Sequence, residues 1–204
     1  MTQPAQHHHL IAPGKAETDL LEPFESLPFQ AITLVSTLQG AEQARAALMQ
    51  EPVWGFDTES RPTFHRDQQS DGPHVVQLAV RHRAWVFQLH DPACRAVVAQ
   101  LLAEPGPVKA GFGLGDDQKR IVAKLGVAAA HVLDLNHVFR QRGYKKDMGV
   151  RAAVAVLFNR RFMKSKKAAT SNWAQPVLTP SQLAYAANDA WAAYRIYEAL
   201  GLKP

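Results

Sequence analysis

Asp57 and Glu59 stand two residues apart in the run Phe56-Asp57-Thr58-Glu59-Ser60, at the end of an apolar stretch. In an extended strand, residues two apart point to the same side. Two carboxylates would then share one face and repel each other unless a cation lay between them, and their hard oxygens suit Mg²⁺ or Mn²⁺. The same spacing also fits two solvent-facing acids at a strand end. Asp117 follows the glycine-rich turn Gly111-Phe112-Gly113-Leu114-Gly115. It reads either as a further ligand or, like Asp116 beside it, as an acid that caps a helix and favours its dipole. Tyr185 and Asp189 are four apart in Tyr185-Ala186-Ala187-Asn188-Asp189 and would share a helical face. Leu183, Ala186, Ala187 and Ala190 make the surroundings of Asp189 small and apolar, and a carboxylate there needs a metal or a donor. An ordinary exposed aspartate on a helix is the plain alternative.

The elements that must carry these residues can be read from the pattern. Ile32 to Val35, Val53 to Asp57, Val75 to Val80, Ala84 to Leu89, Val108 to Phe112 and Val132-Leu133 read as strands. Gly40 to Met49 has helix-forming composition. Pro92 to Ala103 reads as a helix with Asp91 as its N-cap and proline at the first position. Asp116 to Leu125 is a helix stopped by Gly126. Gly149 to Phe158 and Thr179 to Leu200 carry apolar residues at helical spacing. Strands first, then alternation, then helices predict one α/β domain in which helices cover a mixed sheet. No internal repeat is present.

The 204 residues are enough for one domain with a sizeable core and short for two. A net charge of +5 favours a polyanionic partner, though a basic soluble protein has the same balance. The single cysteine, Cys94, excludes a disulfide within the chain and a CxxC zinc site. No apolar run approaches the roughly 20 residues of a membrane span, and no secretory leader is visible, so a cytoplasmic protein that makes no membrane contact is expected. Residues 1–29, with Pro4, Pro13, Pro23 and Pro28 among polar residues, are expected as a flexible arm lying over the domain. Residues 30–204 form the domain itself. His7-His8-His9 reads as a chance polar stretch or a remnant of a purification tag.

D-x-E on a strand, an aspartate after a glycine-rich turn, and Y-x-x-x-D near the C-terminus occur here in that order. This resembles the DEDD superfamily of 3′-to-5′ exonucleases, in the subgroup with tyrosine in the last motif, to which ribonuclease D and the Werner syndrome exonuclease domain belong. The likeness runs from Ile32 to Leu200 and includes Ser171-Asn172-Trp173 and Gln182-Leu183-Ala184-Tyr185. The histidine subgroup would need a histidine where Ala184 stands. The resemblance implies a ribonuclease H-like fold, two divalent cations (Mg²⁺ or Mn²⁺) held by Asp57, Glu59, Asp117 and Asp189, and release of nucleoside 5′-monophosphates. By the same resemblance, Asp57 bridges both ions, Glu59 and Asp189 hold one, Asp117 acts on the other, and Tyr185 orients the attacking water.

The implied partner is a nucleic acid with a free 3′ end. Thr58, Phe64, Lys164, Lys166 and Lys167 are the candidate substrate contacts. Phe64 could stack on a base. The three lysines lie in the densest basic stretch, Arg160 to Lys167, and suit phosphates or a solvated loop equally. His65 and His74 are expected as exposed loop histidines. The sequence ends just after the Asp189 helix, without the helical domains that accompany ribonuclease D. That sets the expectation of a stand-alone nuclease acting on DNA, with RNA as a further substrate. The alternative from another class is a non-hydrolytic nucleic-acid-binding module on the same fold, which the complete set of acids opposes. Oligomeric state has no signature in the chain.

Overall fold

In chain order the elements are α1 (Lys15–Thr18), a single 3-10 turn (Phe29–Ala31), β1 (Ile32–Val35), α2 (Leu38–Leu48), β2 (Val53–Glu59), β3 (Val75–Val80), β4 (Arg83–Gln88), α3 (Pro92–Ala103), β5 (Val108–Gly111), α4 (Gly115–Leu125), β6 (Val132–Asp134), α5 (Leu135–Gln141), α6 (Gly149–Phe158), α7 (Lys166–Ala169) and α8 (Pro180–Ala199). They come from a computed structural model, which describes residues 10–63 and 70–204. Six strands form one sheet in the order β1-β4-β3-β2-β5-β6. β3 runs antiparallel to both neighbours, while the β1–β4, β2–β5 and β5–β6 pairs are parallel. The expected helix-covered mixed sheet is therefore present.

The alternation along β2 divides the core in two. Trp54 and Phe56 join the cluster built with α2, α3 and α4 on one face of the sheet. Val53 joins the cluster built with α6 and α8 on the other. Gly55 lies between Trp54 and Phe56 and faces α8. A Cβ there would stand 1.9 Å from the Ala190 carbonyl oxygen and 2.9 Å from the Tyr194 Cβ. Only glycine lets the 20-residue α8 come this close to the strand.

The start of α8 is fixed locally. Thr179 accepts from the Gln182 backbone N–H, the Gln182 side chain accepts from the Thr179 N–H, and Pro180 opens the helix. This reciprocal capping satisfies donors that would otherwise be orphaned. Asp91 caps α3 through the Cys94 N–H as expected, and Gly126 ends α4 at a φ of 72°.

Two parts differ from the sequence expectation. α5 has only seven residues, with Asp134 capping through the Asn136 N–H, and is too short for periodicity to show. α7 is a single turn started by Ser165, within what reads as a basic loop. Part of the segment before residue 30 is also packed firmly against the domain. Phe24 and Leu27 are buried, and the Phe24 ring lies 5.0 Å from that of Phe158 and 5.8 Å from that of Trp191. The Leu27 N–H donates to the Asn188 side chain at 2.8 Å, and the Phe24 N–H donates to the Arg161 carbonyl at 2.9 Å. Prolines and polar residues hid a segment whose two apolar anchors are too few to form a pattern. His7 to His9 lie outside the described residues. Among the described residues, no helix is long and apolar enough to cross a membrane.

Candidate active site

β2 ends at Glu59 and delivers Asp57 and Glu59 to the face covered by α8. The close approach at Gly55 brings Asp189, the residue before Ala190, against them. Carboxylate oxygens of Asp57, Glu59 and Asp189 all lie within 4.8 Å of one another. The D-x-E spacing therefore does place both acids with the aspartate of Y-x-x-x-D.

Charge is poorly tolerated here. Burial, then the Asp189 and Asp117 charges, push the Asp57 carboxyl up to about 8. Burial, then the Asp57 and Asp189 charges, push Glu59 up to about 9. Burial also raises Asp189, although Lys164 opposes the shift. The Asp189 side chain is 3% exposed, and Lys164 Nζ stands 2.7 Å from its Oδ2. Both its oxygens are enclosed and neither has a well-aligned hydrogen-bond donor, although the Lys164 ammonium and the Tyr185 hydroxyl stand close enough to oppose the shift. An orphaned buried carboxylate oxygen within a cluster of hard oxygen donors fits a divalent cation. Asp57, Glu59 and Asp189 are the residues that could hold one.

Asp117, in the first turn of α4, stands next to the cluster through Thr58 and is not among the three carboxylates whose oxygens converge. Its Oδ1 accepts from the Thr58 hydroxyl at 2.6 Å, and the Arg120 guanidinium lies 3.7 Å away. Burial raises its pKa. Thr58 is 8% exposed, and its hydroxyl is engaged with Asp117. Asp116 is exposed and bonds Lys119, as a helix-start acid would.

Tyr185 lies one turn before Asp189 on α8, with its ring 5.9 Å from Trp173. Burial, then the Asp189 charge, raise its phenol well above the usual range.

Lys164 is the residue whose placement the sequence did not reveal. A basic run gives no sign of which member turns inward. Lys164 turns to Asp189 and lies 5.1 Å from the Tyr185 ring centroid, whereas Lys166 and Lys167 stay exposed on α7. Burial alone would lower its ammonium, but the Asp189 charge overrides this and raises it. The three lysines therefore do not act as one solvated patch. A cleft of about 490 Å³ opens beside the acids, lined by Asp57, Phe112, Asn136, Met148, Lys164 and Asp189. Phe64 and His65 lie outside the described residues. His74 is not an exposed loop histidine: its side chain is 12% exposed, 3.4 Å from Asp71, and its Nδ1 accepts from the Arg61 N–H.

The sequence profile of a family described as "3′-5′ exonuclease" matches residues 32–203. A 3′-5′ exonuclease of Arabidopsis thaliana is 27% identical over 148 residues, which are 72% of this chain and 51% of that protein. The chain thus spans about half the length of that relative. In fold it is similar to the Aedes aegypti Nibbler EXO domain, with a TM-score of 0.72 and 20% identity, covering 87% of this chain and 91% of that one. It is also similar to Trypanosoma brucei RNase D in complex with RNA U12. That TM-score is 0.73 at 19% identity, covering 83% of this chain and 62% of the other.

Proposed function

The chain belongs to the 3′-5′ exonuclease family, and we propose that it is a working member: a metal-dependent enzyme that removes nucleotides one at a time from the 3′ end of a nucleic-acid strand. The observation that carries this reading is the convergence of Asp57, Glu59 and Asp189, from two elements, into a group in which burial raises the pKa of every carboxyl, and of Asp57 and Glu59 to about 8 and about 9. Such strain serves no packing purpose, and perturbed carboxyls of this kind cluster at functional sites. A non-hydrolytic binding module would not need it.

Asp57, Glu59 and Asp189 would hold two divalent cations, either Mg²⁺ or Mn²⁺, with Asp117 contributing from the position fixed by Thr58. When bound, such cations supply the positive charge that readies water for in-line attack and stabilises the departing 3′-oxygen. Tyr185, kept protonated by its surroundings, orients the attacking water through its hydroxyl and need not act as a base. Lys164 exchanges Asp189 for a phosphate oxygen when substrate enters. The product is a nucleoside 5′-monophosphate and a strand shortened by one residue. The trypanosomal structure that shares this fold was determined with RNA U12, which supports RNA as a substrate class here, and DNA is the second candidate.

The test is a time course on 5′-labelled single-stranded and recessed-end DNA and RNA with Mg²⁺, Mn²⁺ or EDTA, beside Asp57→Ala. A ladder shortening from the 3′ end, lost in EDTA and in the variant, is expected. Binding without any shortening under every condition would overturn the enzyme reading in favour of the binding module.

A further inference from the structure

A second cavity, of about 570 Å³, adjoins the catalytic cleft and shares Met148 and Lys164 with it. Five cationic side chains line it: Lys15, Arg151, Arg161, Lys164 and Lys166. Among the described residues, its lining holds a single carboxylate, Asp19. Pro13, Met148, Phe162 and Met163 supply apolar surface between the charges, and Met163 is 60% exposed.

The walls are fixed. Arg161 Nη1 donates to the Asp19 carbonyl at 2.9 Å, and the Arg161 N–H donates to the Glu22 carbonyl at 2.8 Å. The segment bearing Lys15 is thereby tied to the strip bearing Lys164 and Lys166. Arg151 Nη2 donates to the Lys164 carbonyl at 3.1 Å, which ties α6 to the same strip. Arg161 Nε is enclosed and makes no hydrogen bond. A basic trough with apolar surface, opening onto the cleft beside the carboxylate cluster, suits one kind of ligand. A phosphate backbone meets the cations, and bases lie on the apolar surface.

We propose that this trough carries the single strand 5′ of the scissile phosphate, so that residues 13–19 form one bank of the substrate path. The proposal rests on the exonuclease reading for its ligand. It gives Lys166 a defined place and adds Lys15, Arg151 and Arg161. The strand enters between α1 and α7, passes Lys164 and delivers its 3′ end to Asp57, Glu59 and Asp189.

The experiment measures binding of a 5′-fluorescent single-stranded decamer in EDTA, which halts metal-dependent hydrolysis, across a series of salt concentrations. The unaltered protein is compared with Lys15→Glu/Lys166→Glu and with Arg45→Glu/Arg83→Glu. The two pairs change net charge equally. Lys15, Lys166 and Arg83 are exposed, and the Arg45 side chain is 42% exposed. Arg45 is on α2, across the sheet from α8, and Arg83 is at the start of β4. Each phosphate that is no longer neutralised lowers the slope of log K against log salt by about 0.7 for a single strand. The trough pair should therefore flatten the slope by about 1.4, while the control pair retains it. Equal slopes for the two pairs would overturn the proposal. Hydrolysis of a dinucleotide with Mn²⁺ reads the acids alone. Its failure in the unaltered protein would count against the exonuclease reading, and the binding slopes would still decide the trough.

Discussion

Gly55→Ala tests whether the close approach of α8 to β2 is what assembles the site. The added Cβ would meet the Ala190 carbonyl oxygen at 1.9 Å. Real approaches of this kind exceed about 3 Å, so the helix must retreat by about 1 Å at the residue that follows Asp189. Over-packing of this size costs about 2 kcal/mol, or about 6 °C in melting temperature for a domain of this length. The protein stays folded. The same retreat draws Asp189 away from Asp57 and Glu59, and a displacement of about 1 Å at a reacting centre costs about 100-fold in rate. The assay is kcat on a 5′-labelled oligonucleotide, together with melting temperature with and without Mn²⁺. Gly106→Ala is the control, since a Cβ there meets nothing within 4 Å. A Gly55→Ala protein that melts lower yet keeps both full kcat and the full stabilisation by Mn²⁺ would refute the reasoning. So would one that melts unchanged.

Tyr185→Phe should lower turnover at least tenfold while leaving stabilisation by Mn²⁺ intact, because the hydroxyl acts on water and not on the cation. Loss of Mn²⁺ stabilisation to the extent seen in Asp57→Ala would remove that role. In EDTA, Asp57 and Glu59 retain their protons to about 8 and about 9 in the folded chain, against ordinary values of 3.8 and 4.5. The folded state then binds more protons than the unfolded one across that window. These two groups should therefore reduce the stability of the metal-free protein as pH rises from about 4 towards 9. A divalent cation displaces those protons, so the gain in melting temperature on adding Mn²⁺ should grow between about pH 6 and 9. A gain that shrinks over the same range would contradict this account.

Much of the site was legible because its residues obey short-range rules. Asp57 and Glu59 share a face through the two-residue period of a strand, and Tyr185 and Asp189 share one through the turn of a helix. The strands of the sheet were legible as well, since each is apolar and bounded by turn residues. Lys164 was only half legible. Its charge marked it, but the choice between solvent and Asp189 depends on where a loop crosses α8, and no local pattern encodes that. The partner of the Thr58 hydroxyl was not legible, because only the position of α4 shows that Asp117 accepts from it. The packing of the N-terminal segment was not legible for a related reason: Phe24 and Leu27 meet partners more than 130 residues away in sequence, Phe158, Asn188 and Trp191.

That segment has a consequence for anyone who would cut or fuse this domain. The family likeness starts at residue 32, which invites a boundary just before β1. Such a cut would strip Phe24 from beside Trp191 and take away the N–H that donates to Asn188, one residue from Asp189. The residues that the family matches and the residues packed onto this core are offset here. A shuffled or recombinant version should keep the chain from Leu10 onward, and a fusion partner belongs upstream of it.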